Sequence, residues 1–118
     1  MTDFNKKRFT EMVLKGEVTP GIDLSKIDLS ATNLRSVFLV GAKLKRANLK
    51  GANLACANFE KADLEGADLS NCDLSYASFK NANLKGANLS NCKMEYTDFR
   101  NAEVTKANFK NIKGEKIG

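Results

Sequence analysis

The chain has no histidine and no tryptophan, a single proline and only three cysteines in 118 residues. Each shortage narrows the range of functions. Without histidine the chain lacks the commonest general base and the commonest metal ligand. No Cys-x-x-Cys pair compensates, so no zinc site and no cofactor is expected. Three cysteines are too few, and odd in number, for a secreted disulfide framework. No apolar run approaches the ~18 residues of a membrane span. Lys6-Lys7-Arg8 is not followed by an apolar segment of signal-peptide type, and a cytoplasmic location is expected. There is no glycine-rich phosphate loop, and the carboxylates fall at regular outward spacings rather than in a cluster, so an enzyme is not expected. The net charge of +5 comes from basic residues interspersed with acidic ones, as on a mixed surface with a mild cationic bias.

Against these absences stands one strong regularity. From Leu24 to Phe109 every fifth residue is apolar: Leu24, Leu29, Leu34 and so on through Phe59, Phe79, Met94, Phe99 and Val104, 18 units without a polar exception. Two residues earlier runs a second, small series from Ala42 to Ala107, with Cys72, Cys92 and Thr97 as its variants. Between the two lies a position that is mostly Asn or Asp.

A strict period of five suits neither common element. An α-helix turns about 100° per residue, so every fifth side chain would smear around the cylinder. A strand alternates faces, so an odd period would carry the apolar residue in and out. The pattern requires a chain that turns a corner in every unit and brings the same position back inside. The small and central residues, two apart, then share the inner face of a short extended segment, and the remaining Asn, Asp, Ser, Gly and Lys residues face out or make the corner.

Ala47-Asn48-Leu49-Lys50-Gly51 and Ala67-Asp68-Leu69-Ser70-Asn71 closely resemble the A(D/N)LXX unit of the pentapeptide repeat family, and the resemblance covers roughly residues 22–111. It implies an all-β fold, a right-handed quadrilateral β-helix with four units per coil, hence about 4.5 coils. At strand spacing of about 4.8 Å such a stack is on the order of 22 Å tall. Four units per coil require a 20-residue column, and larger or special residues obey it: Phe59, Phe79 and Phe99; Cys72 and Cys92; Tyr76 and Tyr96; Asn71, Asn91 and Asn111.

The expected organisation is a capping helix and linker over 1–21, the β-helix over 22–111 and a tail over 112–118. Residues 3–15 read as a short helix capped by Thr2 or Asp3 at its start and by Gly16 at its end, with Phe9, Met12 and Val13 as its apolar face. An open repeat edge needs such a cap, and Ile22, Ile27 and Val37 thicken the first coil beside it. The C-terminal coil has no evident cap. The family resemblance implies end-to-end homodimers there.

Departures from the pattern carry the functional information. Phe38 stands where the repeat has Asn or Asp, and Val40 also points outward, so the two form either a patch covered by the N-terminal segment or a docking site for a partner. Exposure of Phe38 would exclude the first reading. Lys43, Lys45, Arg46 and Lys50 form a basic cluster that could attract a polyanion. Lys43 also stands in register with Asp23 and Asp63, and Lys45 with Glu65 and Lys85, so a self-paired surface is the plainer expectation. Cys72 and Cys92 are small inward residues within reach of one another, while Cys56 at a corner is an exposed thiol. The expected function is a non-enzymatic interaction or scaffold module whose partner is another protein. The resemblance also implies a DNA-mimicking modulator of DNA gyrase as an alternative, which the basic charge disfavours. Nucleic acid is not an expected partner.

Overall fold

A computed structural model describes residues 4–115 and 117–118. The chain opens with one helix, α1 (Lys6–Leu14). Everything after it is short extended segments separated by corners.

The segments pair in parallel, 20 residues apart, in four series: Asp23 with Lys43 and onward to Glu103; Asp28 with Asn48 and onward to Asn108; Asn33 with Asn53 and onward to Lys113; Phe38 with Asn58 and onward to Ile117. We call these the first to fourth faces. Three hydrogen bonds per unit tie each coil to the next. On the first face, Leu44 N–H donates to Asp63 O (2.7 Å), Arg46 N–H to Glu65 O (2.9 Å), and Asp63 N–H to Ala42 O (2.9 Å). Backbone groups that a lone turn would leave to water are thereby satisfied by the neighbouring coil. The molecule measures 41 × 22 × 20 Å with the helix included.

Each corner is a tight turn. The N–H of Ala47 donates to Leu44 O at 3.0 Å, and the same bond recurs unit after unit. The third residue of the turn has positive φ at every corner from Gly21 to Asn111, between 54° and 78°. That region favours Gly and Asn, which is why Asn71, Asn81, Asn91, Asn101 and Asn111 sit there. The Asn or Asp preceding each central residue has a distinct task. Its Oδ1 accepts from the N–H two residues on, Asp63 from Glu65 (3.1 Å) and Asn48 from Lys50 (3.0 Å), closing an Asx turn before the corner.

Inside, the central Leu and Phe residues and the Ala column form one continuous buried core. Phe59, Phe79 and Phe99 stack with centroids 4.8 and 5.1 Å apart and rings within 5° of parallel. Phe109 ends the stack edge-on to Phe99.

Helix α1 closes the N-terminal end, and its start differs from expectation. The N-cap is Asn5, whose side chain accepts from Arg8 N–H at 3.1 Å. Thr2 and Asp3 lie outside the described residues. Asparagine is as good a cap as aspartate, and Asn5 is the residue whose carboxamide reaches the open turn. The far end follows expectation: Gly16 N–H donates to Val13 O and Glu17 N–H to Met12 O, the paired bonds of a glycine-terminated helix. Phe9 is fully buried over the first coil, Val13 packs on the core, and Lys6 Nζ anchors the helix to Ser30 O at 2.6 Å.

The C-terminal end also differs. The segment read as a tail adds bridges, Lys93 with Lys113 and Asp98 with Ile117. Gly114 falls at the central position of its unit, with no side chain to bury. Its backbone lies so close to the coil before it that a Cβ would come within 2.8 Å of Glu95. Ile117 pairs 19 residues from Asp98 instead of 20, so the last turn is one residue short. Val104, Phe109 and Ile112 are left partly uncovered at this open end.

Candidate interaction surface

The fold separates the six residues singled out in the sequence. Phe38 lies on the fourth face, and Val40 at the corner where that face meets the first. Lys43 lies on the first face, Lys45 and Arg46 at its far corner, and Lys50 one corner further on. Lys45 Nζ pairs with Glu65 at 3.9 Å across one coil step, as the alternating charges suggested. The stem of Arg46 runs along the corner, where a Cβ on Gly66 would meet its Cγ at 3.4 Å. The cations are therefore spread around the rod and interleaved with carboxylates, and they do not form a groove that would follow a phosphate chain.

The fourth face is different. Phe38 is 44% exposed, so the N-terminal segment leaves it open, while Val40 is half-buried. Val13, Gly16 and Val18 border a shallow groove beside it with Arg35, Ser36 and Val37. Along the corner with the third face run Ser36, Cys56, Tyr76 and Tyr96, one per coil and each in the left-handed region. Tyr76 and Tyr96 are 62% and 49% exposed, with ring centroids 5.7 Å apart. Ile117, 40% exposed, ends the fourth-face column. This face thus collects most of the large apolar side chains that the coils leave in water.

Phe38 costs its coil a capping acceptor. Asn58, Ser78 and Asp98 in the same column accept from the N–H groups of Glu60, Lys80 and Arg100. A phenyl ring has nothing to offer Val40 in that way. Asp98 also holds Arg100 in a two-pronged pair, at 2.7 Å between Nη2 and Oδ2. The hydrogen bonds from Arg100 keep the Asp98 carboxyl below its ordinary range.

The thiols divide as expected, with one addition. Cys56 is exposed and Cys72 and Cys92 are buried, all three free. The buried pair are more than small apolar fillers. Cys72 Sγ donates to Leu49 O and Cys92 Sγ to Leu69 O, each at 2.9 Å, and Thr97 Oγ1 repeats the bond to Leu74 O at 2.6 Å. Burial and then the neighbouring Cys92 push the Cys72 thiol up to about 12, and burial pushes Cys92 up to about 11. Both stay protonated far above neutrality, and the thiolate is the reactive form. A thiol reagent at pH 8 is therefore expected to modify one cysteine per folded chain, Cys56, and all three only after denaturation. Labelling of two or more in the native protein would contradict this burial.

Among the described residues no group of three or more His, Cys, Asp or Glu is placed to hold a metal ion. No described helix is long and apolar enough to cross a membrane.

A family model described as pentapeptide repeats matches residues 21–51, 39–71, 52–91 and 72–111. The chain belongs to the pentapeptide repeat family. Its members form right-handed β-helices and are generally structural or interaction modules rather than enzymes. Among solved structures, this pentapeptide repeat chain is similar to HetL, a pentapeptide repeat protein involved in heterocyst differentiation regulation from the cyanobacterium Nostoc sp. strain PCC 7120. The two are 27% identical with a TM-score of 0.88 over 93% of this chain, which spans 47% of HetL. A pentapeptide repeat protein from the thylakoid lumen of Arabidopsis thaliana is 41% identical over 74% of this chain and 64% of its own, with a TM-score of 0.46. The chain thus spans about half the length of HetL and about two thirds of the plant protein. No match was found among curated proteins.

Proposed function

We propose that this chain is a non-enzymatic protein-interaction module that docks a protein partner through its fourth face. The observation that carries the reading is Phe38. In the coils above, that column holds Asn58, Ser78 and Asp98, each closing a backbone turn. Phe38 gives up that bond and leaves a ring 44% exposed. A residue that costs its own coil a hydrogen bond and adds nothing to the core is explained by what it touches outside. The rod holds that face rigid through its ladder, so little ordering entropy is lost on docking.

The test is affinity capture from the source cell with the wild-type chain and with Phe38→Asp. A partner that is retained by the first and depleted about tenfold or more by the second supports the reading. An identical set of bound proteins from the two baits would sink it. Phe38 lies outside the core, so thermal melts of the two proteins are expected to agree within a few degrees.

A further inference from the structure

The fourth face is self-complementary when one copy is turned end over end. From the N-terminal to the C-terminal end, its corner with the third face runs small, small, large, large: Ser36, Cys56, Tyr76, Tyr96. The residues just before them carry charge of opposite sign at the two ends, Arg35 near the first coil and Glu95 near the last. On the opposite corner Glu60 lies one coil below Lys80. We propose that the first partner of this face is a second copy of the chain, packed antiparallel about a two-fold axis between the Cys56 and Tyr76 layers. The proposal rests on the docking role of the fourth face and names its occupant.

The register of the coils determines what meets what. A two-fold axis lying in the interface and perpendicular to the rods brings each corner against the same corner reversed. Cys56 then faces the partner's Tyr76, and Ser36 faces the partner's Tyr96, so each ring enters the space over a small residue. Arg35 meets the partner's Glu95, and Glu60 meets the partner's Lys80. At the ends, the rim of the groove beside Phe38, which Val18 borders, meets the partner's Ile117. Phe38 comes over the partner's Asp98–Arg100 pair, whose planar guanidinium can lie on a ring face. The alternative parallel arrangement would set Tyr76 against the partner's Lys80 and Cys56 against the partner's Glu60, and would match only Glu95 with the partner's Arg100, which its own Asp98 already holds. Five coil steps of about 4.8 Å and a cross-section of 22 × 20 Å give a footprint of roughly 500 Å² per copy. The total of roughly 1,000 Å² is at the low end for specific pairs, so a reversible dimer with a micromolar Kd is expected.

Analytical ultracentrifugation of the full chain from about 1 to 200 μM, with charge-reversal variants, tests the geometry. Arg35→Glu and Glu95→Arg are each expected to weaken the dimer about tenfold, and the two together to restore it to within about threefold. A short bis-maleimide is expected to link wild-type chains through Cys56, since the two Cys56 corners lie one coil step apart across the axis. Cys56→Ser serves as the control. A dimer that ignores both reversals and gives no Cys56 link docks elsewhere, for example at the open C-terminal end, and overturns the proposal. So does a pair of reversals that fails to restore binding. A strict monomer overturns it too, yet leaves the interaction reading standing if capture still returns a Phe38-dependent protein. If capture shows no such dependence while the charge-swapped dimer is restored, a separate protein partner is excluded and self-association through the fourth face remains.

Discussion

Phe79→Ala is expected to destabilise the protein by about 3–5 kcal/mol, read as a fall in the midpoint of urea unfolding. Its ring lies between Phe59 and Phe99, with centroids 4.8 and 5.1 Å away and all three nearly parallel. Truncation removes a fully buried side chain and both stacking contacts at once. The walls cannot close over the gap, because the coil spacing is set by the backbone ladder and not by the rings. The site is also in the middle of the stack, and in a repeat array each coil is stabilised mainly by its two neighbours. Loss there weakens the coupling between the two halves. Phe109→Ala provides the contrast. That ring is only partly buried at the open end, and its loss is expected to cost about 1–2 kcal/mol by fraying the last coil. Equal losses at the two positions would mean that the stack is not the unit of stability.

The second large effect comes from adding volume. Ala67→Leu is expected to cost about 3 kcal/mol, at the upper end for overpacking. Ala67 Cβ points into the closed interior and is 1% exposed, with Leu64 and Leu69 fully buried on either side of it in sequence. Both the coil above and the coil below are fixed by hydrogen bonds, so the added methyl groups have no direction in which to move. Ala67→Thr should be much milder despite its greater polarity. Thr97 and Cys72 show why: each donates to the carbonyl 23 residues back. The corresponding acceptor for residue 67 is Leu44 O, which accepts from Ala47 N–H and has a second lone pair free for a hydroxyl. If Ala67→Thr unfolds the protein as readily as Ala67→Leu, the interior is intolerant of any added atom and this hydrogen-bonding position is not general.

Most of the fold is legible in the sequence because one position in five has a single physical task. A central Leu or Phe must be inside, the residue two before it must be small, and no other backbone repeats that demand 18 times. The four-sided coil follows from the 20-residue spacing of Phe59, Phe79 and Phe99, and the bridges have that spacing. What the sequence conceals is local. That Asn5 caps the helix is settled by one hydrogen bond, from Arg8 N–H to its side chain, which the sequence pattern does not single out. Gly114 continues the five-residue series, but a glycine there reads as an ending, and only the backbone contact with Glu95 shows the last turn being drawn in. Cys72, Cys92 and Thr97 are visible as exceptions in the alanine column, yet the carbonyl each donates to lies in the preceding coil, 23 residues back. The candidate surface was half legible. Phe38 departs from its own unit and stands out at once. Arg35, Glu60, Lys80 and Glu95 are ordinary outward residues until the coils place them around one face.

The uniform corner has a consequence for how such a chain changes length. Every unit contributes a quarter of a revolution, and the left-handed residue at each corner makes all quarters alike. Removing 20 residues therefore shortens the rod and leaves every column aligned. Removing five rotates everything beyond the cut by 90°. The interior would still receive an apolar unit at every step, although a cut between Phe59 and Phe99 would break the ring stack. The outside would be re-indexed: Phe38 and Tyr96, now on the same side, would look in different directions. Outside the Phe59–Phe99 ring stack, insertions and deletions of five residues in this architecture act as a dial on surface pattern.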